Sequence, residues 1–271
     1  MNLHQRILTY NDCYLKGQTI RPKGVMVRST GANNPNLSRY VGPDDGLLGQ
    51  NPNNNHWNMS GVGACVHAFI GRLADGSIAS YQTLPWNWRG WHCGSGRSGS
   101  ANNTHISFEI CEDGLDDREY FDAVYREAVE LTAHLCELYG LDPLEDGVVI
   151  CHSEGYRRGV ASNHGDVMHW FPKFGKNMDG FRADVSRELK GDEDDMTQEQ
   201  FNQMMTEYER TKNPVPDNTP ADWEAPAVQW ARDNGLLAGD GAGNLMLHSN
   251  MTRAQFFVIL KKYHDHRKEI S

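Results

Sequence analysis

No Cys-x-x-Cys pair occurs in this 271-residue chain, and its six cysteines (Cys13, Cys65, Cys93, Cys111, Cys136, Cys151) follow no regular spacing. That pattern argues against a cysteine zinc cluster and against a disulfide framework, so free, buried thiols are expected. Long apolar runs are missing too. Nothing approaches the ~18 consecutive apolar residues of a membrane span, so no membrane insertion is expected. Residues 1–17 lack a basic segment followed by an apolar one, which predicts synthesis in the cytoplasm without a secretory leader. Basic charge is scarce: 26 Lys and Arg stand against 36 Asp and Glu, a net −10. A nucleic-acid partner, which needs a concentrated basic face, is excluded on that ground. No Gly-x-Ser-x-Gly elbow is present, so the usual Ser/His/Asp hydrolase signature is absent.

What the chain does have is enough apolar material for a packed core, with 38% hydrophobic and 10% aromatic residues spread along its length. Val25-Met26-Val27 and Val148-Val149-Ile150 are short buried-strand signals. Cys65 to Ile70 and Ser77 to Gln82 read as strands around the Asp75-Gly76 turn, and Ile106 to Ile110 alternates with period two. From Asp117 to Tyr139, the residues Phe121, Val124, Ala128, Leu131, Leu135 and Leu138 recur at helical spacing. Gly140 follows as a C-cap and Pro143 as a stop. Phe181 to Leu189 reads as a closing helix. The class expected is α/β, a central mixed sheet flanked by helices, over residues 1–190.

Residues 191–220 read as a helix and a proline-rich linker. Thr197 and Gln200 form a capping-box pattern, and the stripe Phe201, Met204, Met205 and Tyr208 suits docking on a neighbour or, equally, on its own domain. Residues 221–271 form a small helical module. Its first helix ends at Asn234-Gly235, a tight turn follows at residues 239–244, and Thr252 and Gln255 cap a second helix. No bidentate glutamate follows the turn at the EF-hand position, which weighs against calcium. So small a module has a marginal core of its own, which points to packing on the larger domain, on a second copy or on an external polymer. A homodimer through residues 197–211 or through the C-terminal module is the partner reading that follows.

Twelve histidines are many for this length. His152 ends a strand, His164 and Asp166 follow in Ser162-Asn163-His164-Gly165-Asp166, Glu109 closes the Ile106-to-Glu109 strand, and His92 lies in a glycine-flanked loop. A hydrolytic zinc site needs three nitrogen, sulfur or carboxylate ligands and a nearby acid for proton transfer. The alternative is that these histidines are satisfied structural residues.

Four segments in order carry a resemblance. Gly24 to Pro35, Trp88 to Gly94, the strand ending in Glu109, and Cys151 through Asp166 resemble the type-2 N-acetylmuramoyl-L-alanine amidases, which share the peptidoglycan-recognition-protein fold. The likeness extends to phage-type endolysins over residues 1–190, while residues 223–255 resemble a surface-layer-homology-like repeat. The resemblance implies a zinc cofactor, peptidoglycan as partner, action on the cell wall after release, and hydrolysis of the amide between N-acetylmuramic acid and L-alanine. By position it places the ligands at Arg28, His152 and Asp166, the catalytic acid at Glu109 and an oxyanion-stabilising residue at His164. His92, Trp91 and Asn34 fall in the substrate cleft, with His67 and His105 structural or cleft-lining.

Arg28 breaks the pattern. A guanidinium offers no lone pair and remains charged, so it cannot be a ligand. Three readings stay open: an enzyme disabled by a His-to-Arg change, a non-catalytic peptidoglycan-binding protein, or a shifted register in which His56 or His67 completes the site.

Overall fold

The computed structural model describes residues 1–191, 202–205, 217–240 and 243–269. They divide into two compact units at residues 193 and 194. In the first unit the chain lays down β1 (Leu3–Gln5), α1 (Asp12–Lys16), β2 (Gly24–Asn33), β3 (Ala68–Arg72) and β4 (Ile78–Gln82). After these come β5 (His105–Glu112), α2 (Arg118–Tyr139), β6 (Val149–Cys151), α3 (His152–Arg157) and α4 (Met178–Leu189). The strands form one six-stranded mixed sheet in the order β1-β4-β3-β5-β2-β6, antiparallel only between β3 and β4.

Alternation along the strands sorts the side chains between the sheet's two faces. Val25 and Val27 of β2, with Ile106, Phe108 and Ile110 of β5, face a core built with Phe121, Val124 and Leu131 of α2 and Phe181 of α4. The intervening residues, among them Met26 and Arg28 of β2 and Ser107 and Glu109 of β5, are thereby sent to the opposite face. Helix α2 sits where the apolar period puts it. The Asp117 side chain accepts from Tyr120 N–H at its start, and Gly140 closes it at φ 62°, a left-handed conformation that favours glycine.

Several boundaries differ from the expectation. Strand β5 continues to Glu112, so Glu109 lies inside a strand rather than at its end. Strand β3 starts only at Ala68, while Cys65 makes an isolated bridge to Trp91. Strand β1 and helix α1 carry no periodic signal, being too short to show one.

Free thiols are found at Cys93, Cys111, Cys136 and Cys151, all buried, but Cys13 and Cys65 form a disulfide. The expectation of six free thiols is corrected there. The pair is 52 residues apart in sequence and its Cα atoms are 6.4 Å apart, a meeting made by the tertiary fold.

In the second unit, helix Ala225–Asp233 ends at Asn234, followed by Gly235 at φ 67°. The capping box of the last helix, Arg253–Glu269, is formed: Gln255 N–H donates to Thr252 Oγ1 at 3.2 Å and Thr252 N–H to Gln255 Oε1 at 2.7 Å. Of the stripe proposed for docking, Met204 and Met205 are exposed, while Phe201 and Tyr208 lie outside the described residues, as does most of 197–211. No described helix is long and apolar enough to cross a membrane.

Candidate functional site

The parallel register of β2 and β5 places Arg28 directly beside Glu109, and Val27 beside Cys151 of β6. Both Arg28 and Glu109 point away from the α2 core. His152 begins α3 immediately after β6, so its ring enters the same space from the next strand. Asp166, from the loop beyond α3, completes the group. The cluster thus forms toward the carboxyl ends of parallel strands, where α/β sheets leave a crevice.

Arg28 is the hub. Its Nη1 donates to Glu109 Oε1 at 2.6 Å, and its Nε donates to both His152 Nδ1 at 3.0 Å and Asp166 Oδ2 at 3.2 Å. The guanidinium therefore spreads its donors over all three groups instead of gripping one carboxylate with two prongs. Because Nδ1 of His152 accepts, the ring proton is on Nε2, which faces Ser162 Oγ at 3.3 Å. The Ser162 hydroxyl lies 3.1 Å from both the Cys93 carbonyl and His164 Nδ1. The rings of His152 and His164 lie 4.6 Å apart, so His164 does reach the cluster.

The electrostatics follow from burial. Glu109 is 5% exposed, and desolvation pushes its carboxyl up to about 7, against the pull of Arg28. Burial also pushes Asp166 upward, but its contacts with His152 and Arg28 outweigh this and hold it below the usual range.

Arg28, Glu109, His152, Ser162 and His164 open into a cleft of about 410 Å³ that is also lined by Thr30, Trp57, Trp91 and His92, while Asp166 lies behind them, outside the lining. Trp91 is half exposed at its rim, whereas His92 is buried with neither ring nitrogen hydrogen-bonded. Burial holds His92 far below the ordinary histidine range, helped by the nearby His67 and Arg28. Asn34 is not among the cleft residues, and its side chain accepts from Asn36 N–H instead. Ser162 is the member with no role in the sequence reading. Its only signal was its place two residues before His164.

Zinc does not fit the residues present. Two potential ligands, His152 Nδ1 and Asp166 Oδ2, converge at 3.5 Å, but the third direction is filled by a guanidinium that donates to both. Among the described residues no three His, Cys, Asp or Glu side chains gather as a metal site. His67 does not complete one, since Nε2 meets the Trp88 carbonyl at 2.7 Å and Nδ1 accepts from Ser107 N–H at 3.0 Å. His56 packs on Gly42 and is absent from the cleft lining.

His67 has a measurable consequence. Full burial lowers it to about 4, so the folded state keeps it neutral. Its contribution is complete above the unfolded value near 6.5 and is lost as pH falls toward 4, at ~1.36 kcal/mol per pKa unit. Glu109, raised, acts in the opposite sense between about 4.5 and 7, while His92 and His105 add to the loss on acidification. Urea unfolding should show lower stability near pH 4.5 than at 7, and His67→Gln should remove about 2–3 kcal/mol of that difference.

A family model described as N-acetylmuramoyl-L-alanine amidase matches residues 18–168. Among solved structures, the hydrolase AmiA of Staphylococcus aureus, determined with its ligand, is similar at 18% identity and a TM-score of 0.50. That match covers 70% of this chain and 83% of AmiA. A mutant endolysin from Bacillus subtilis matches at 23% identity and TM-score 0.46 over 68% of this chain and 99% of its own. The N-acetylmuramoyl-L-alanine amidase LysC from Clostridium intestinale matches at 14% and 0.34, over 58% and 88%. At such identities the AmiA likeness speaks to the fold. No curated protein matches the chain.

Proposed function

We propose, because the chain belongs to the N-acetylmuramoyl-L-alanine amidase family, that its cleft receives the muramoyl-peptide junction of peptidoglycan, and that Arg28 closes the site to zinc. The chain carries a domain of the amidase family, which we read as that of a wall-acting protein. It belongs to a family of amide-hydrolysing enzymes; with Arg28 in place, our reading is that it binds peptidoglycan without zinc-dependent cleavage. The observation that supports this reading is the placement of Arg28, whose N–H groups engage Glu109, His152 and Asp166 together. A charged donor there both withholds a lone pair and repels a metal cation. His164 and Trp91 then serve to seat the ligand, and residues 221–271 serve as a wall-targeting module.

The purified chain should contain well under one zinc per molecule, sediment with insoluble walls and release no dye from dye-labelled ones. A chain ending at residue 190 should bind walls more weakly, since a second attachment point raises effective concentration. Stoichiometric zinc or dye release by the chain as written would overturn the locked-site reading. Failure to bind walls of several chemotypes would overturn peptidoglycan recognition itself.

A further inference from the structure

Of the six cysteines, Cys13 and Cys65 pair, and the other four stay buried as thiols. Cys13 sits on the five-residue α1. Cys65 follows a stretch, residues 41–64, that contains neither helix nor strand. A segment without a hydrogen-bond ladder of its own is held by its neighbours, and α1 is one of them here. Asn11, at the head of α1, donates from Nδ2 to the carbonyls of Trp57 and Ala64, both at 3.1 Å. Asp12 N–H donates to the Val62 carbonyl at 3.2 Å, and its side chain accepts from Gly61 N–H at 3.0 Å.

The same stretch builds part of the wall of the Arg28 cleft, where Trp57, Ala64 and Val66 stand with Trp91. Trp91 is tied to Cys65 at three points. Its carbonyl accepts from Cys65 N–H at 3.1 Å, and its own N–H lies 3.2 Å from the Cys65 carbonyl and 3.1 Å from Cys65 Sγ. The apolar cluster around the disulfide is small, formed with Leu84, Tyr14 and Trp88, and is separate from the α2 core. Cys13 also lines a second cavity of about 430 Å³, so a small thiol has a route to that residue although it is only 6% exposed.

We propose that the Cys13–Cys65 disulfide is a redox latch on the wall of the cleft, closed in an oxidising medium and opened by a dithiol. A thiolate of the dithiol attacks Cys13 Sγ, the S–S bond breaks, and Cys65 leaves as a thiolate that takes up a proton. The second thiol of the reductant then displaces Cys13 from the mixed disulfide. Two electrons and two protons pass to the protein, and the dithiol is oxidised to its own disulfide. The two cysteines are 52 residues apart in sequence, so once the bond is cut the irregular stretch keeps only its hydrogen bonds and packing. The cluster around the bond takes no residue from the sheet or from α2, so the opening is local. The fold persists while Trp57, Ala64, Val66 and Trp91 lose their fixed places. A chain in a reducing compartment thus has a loose cleft wall, and one in oxidising surroundings has a fixed wall. The effect on ligand affinity rests on the reading of the cleft as a peptidoglycan site, whereas the loosening does not.

The test uses the full chain purified without reductant, before and after dithiothreitol, beside the double variant Cys13→Ser/Cys65→Ser. Thiol titration in denaturant should count four free cysteines before reduction and six after it. Hydrogen exchange read by mass spectrometry should rise in α1 and residues 57–66 on reduction and stay unchanged across α2. Affinity for insoluble walls should fall about tenfold, the loss expected if the closed arrangement drops to about one molecule in ten. The double variant should match the reduced protein with or without dithiothreitol. Six thiols in the unreduced protein, or a bond that resists dithiothreitol without denaturant, would overturn the latch. A rise in exchange throughout α2 would overturn it too, marking a staple on which the whole fold depends. Wall binding that is measurable and equal in both states would remove its control of the cleft. If neither state binds walls, the cleft reading fails, and exchange alone decides: a rise confined to α1 and residues 57–66 upholds the latch, and no rise overturns it.

Discussion

Arg28→His is expected to convert a chain with little bound zinc into one carrying about one zinc per molecule, and to make it release stem peptide from purified walls. The substitution removes the charge that now donates to His152 Nδ1 and Asp166 Oδ2, freeing two groups that already converge. It also supplies a neutral ring nitrogen from the same strand position. Glu109, register partner of that position, remains beside it and buried, and burial keeps its carboxyl raised above the ordinary range, as proton transfer near neutral pH requires. On this background Glu109→Ala should keep the metal and lose rate by ~10²–10⁴-fold, the usual worth of a positioned acid–base group. His152→Ala should lose metal and rate together. Elemental analysis and dye release measure these outcomes separately. Uptake of zinc by Arg28→His without release from walls of several chemotypes would sink the amidase reading of this chain and leave binding.

Arg28→Met should be among the most damaging single substitutions in the first unit, costing about 3–5 kcal/mol at neutral pH, the cost of orphaning a buried charge. Arg28, Glu109 and Asp166 have side chains 13%, 6% and 10% exposed, so water cannot replace the lost cation. The pH dependence identifies the cause. Without Arg28, burial acts unopposed on Glu109 and raises its carboxyl further, favouring the protonated form, while Asp166 keeps the opposing contact with His152. A carboxyl raised on folding penalises the folded state above its unfolded value, and the penalty fades as pH falls. The deficit of Arg28→Met relative to the parent should therefore shrink as pH falls from about 9 toward 7, where the parent's Glu109 itself takes up its proton, as measured by urea unfolding. A deficit that stays constant across that window would mean the damage comes from lost packing rather than from stranded charge. Arg28→Lys separates the two further: it restores a charge but not the fork that reaches three partners, so it should recover only part of the loss.

Much of this molecule was legible in the residue order because its signals are local. The stripe from Phe121 to Leu135 repeats at the helical period, and Asp117 and Gly140 bound it chemically, so α2 lies within a residue of its expected place. The Thr252 and Gln255 pattern likewise needed only a three-residue span to announce its capping box. Even the site was partly visible. Arg28, Glu109, His152, His164 and Asp166 were named from motif order and do meet, whereas Asn34, named with them, does not reach the cleft.

What the residue order could not carry was who meets whom across distance. Cys13 and Cys65 had no motif to mark them, and only the docking of α1 beside the Cys65–Trp91 bridge brought them together. Strand order was equally hidden, since pairing β2 between β5 and β6 depends on how the faces of the sheet are covered. By itself the sequence determined which groups are apolar, where helices start and stop, and that an arginine stands where the family pattern places a ligand. The tertiary structure decided what that arginine does. It lies 81 residues from Glu109, 124 from His152 and 138 from Asp166, and only the parallel register of neighbouring strands brings one guanidinium within hydrogen-bond reach of all three. Burial then turns that proximity into a fixed ionic cluster, because each charge, removed from water, can be satisfied only by the others.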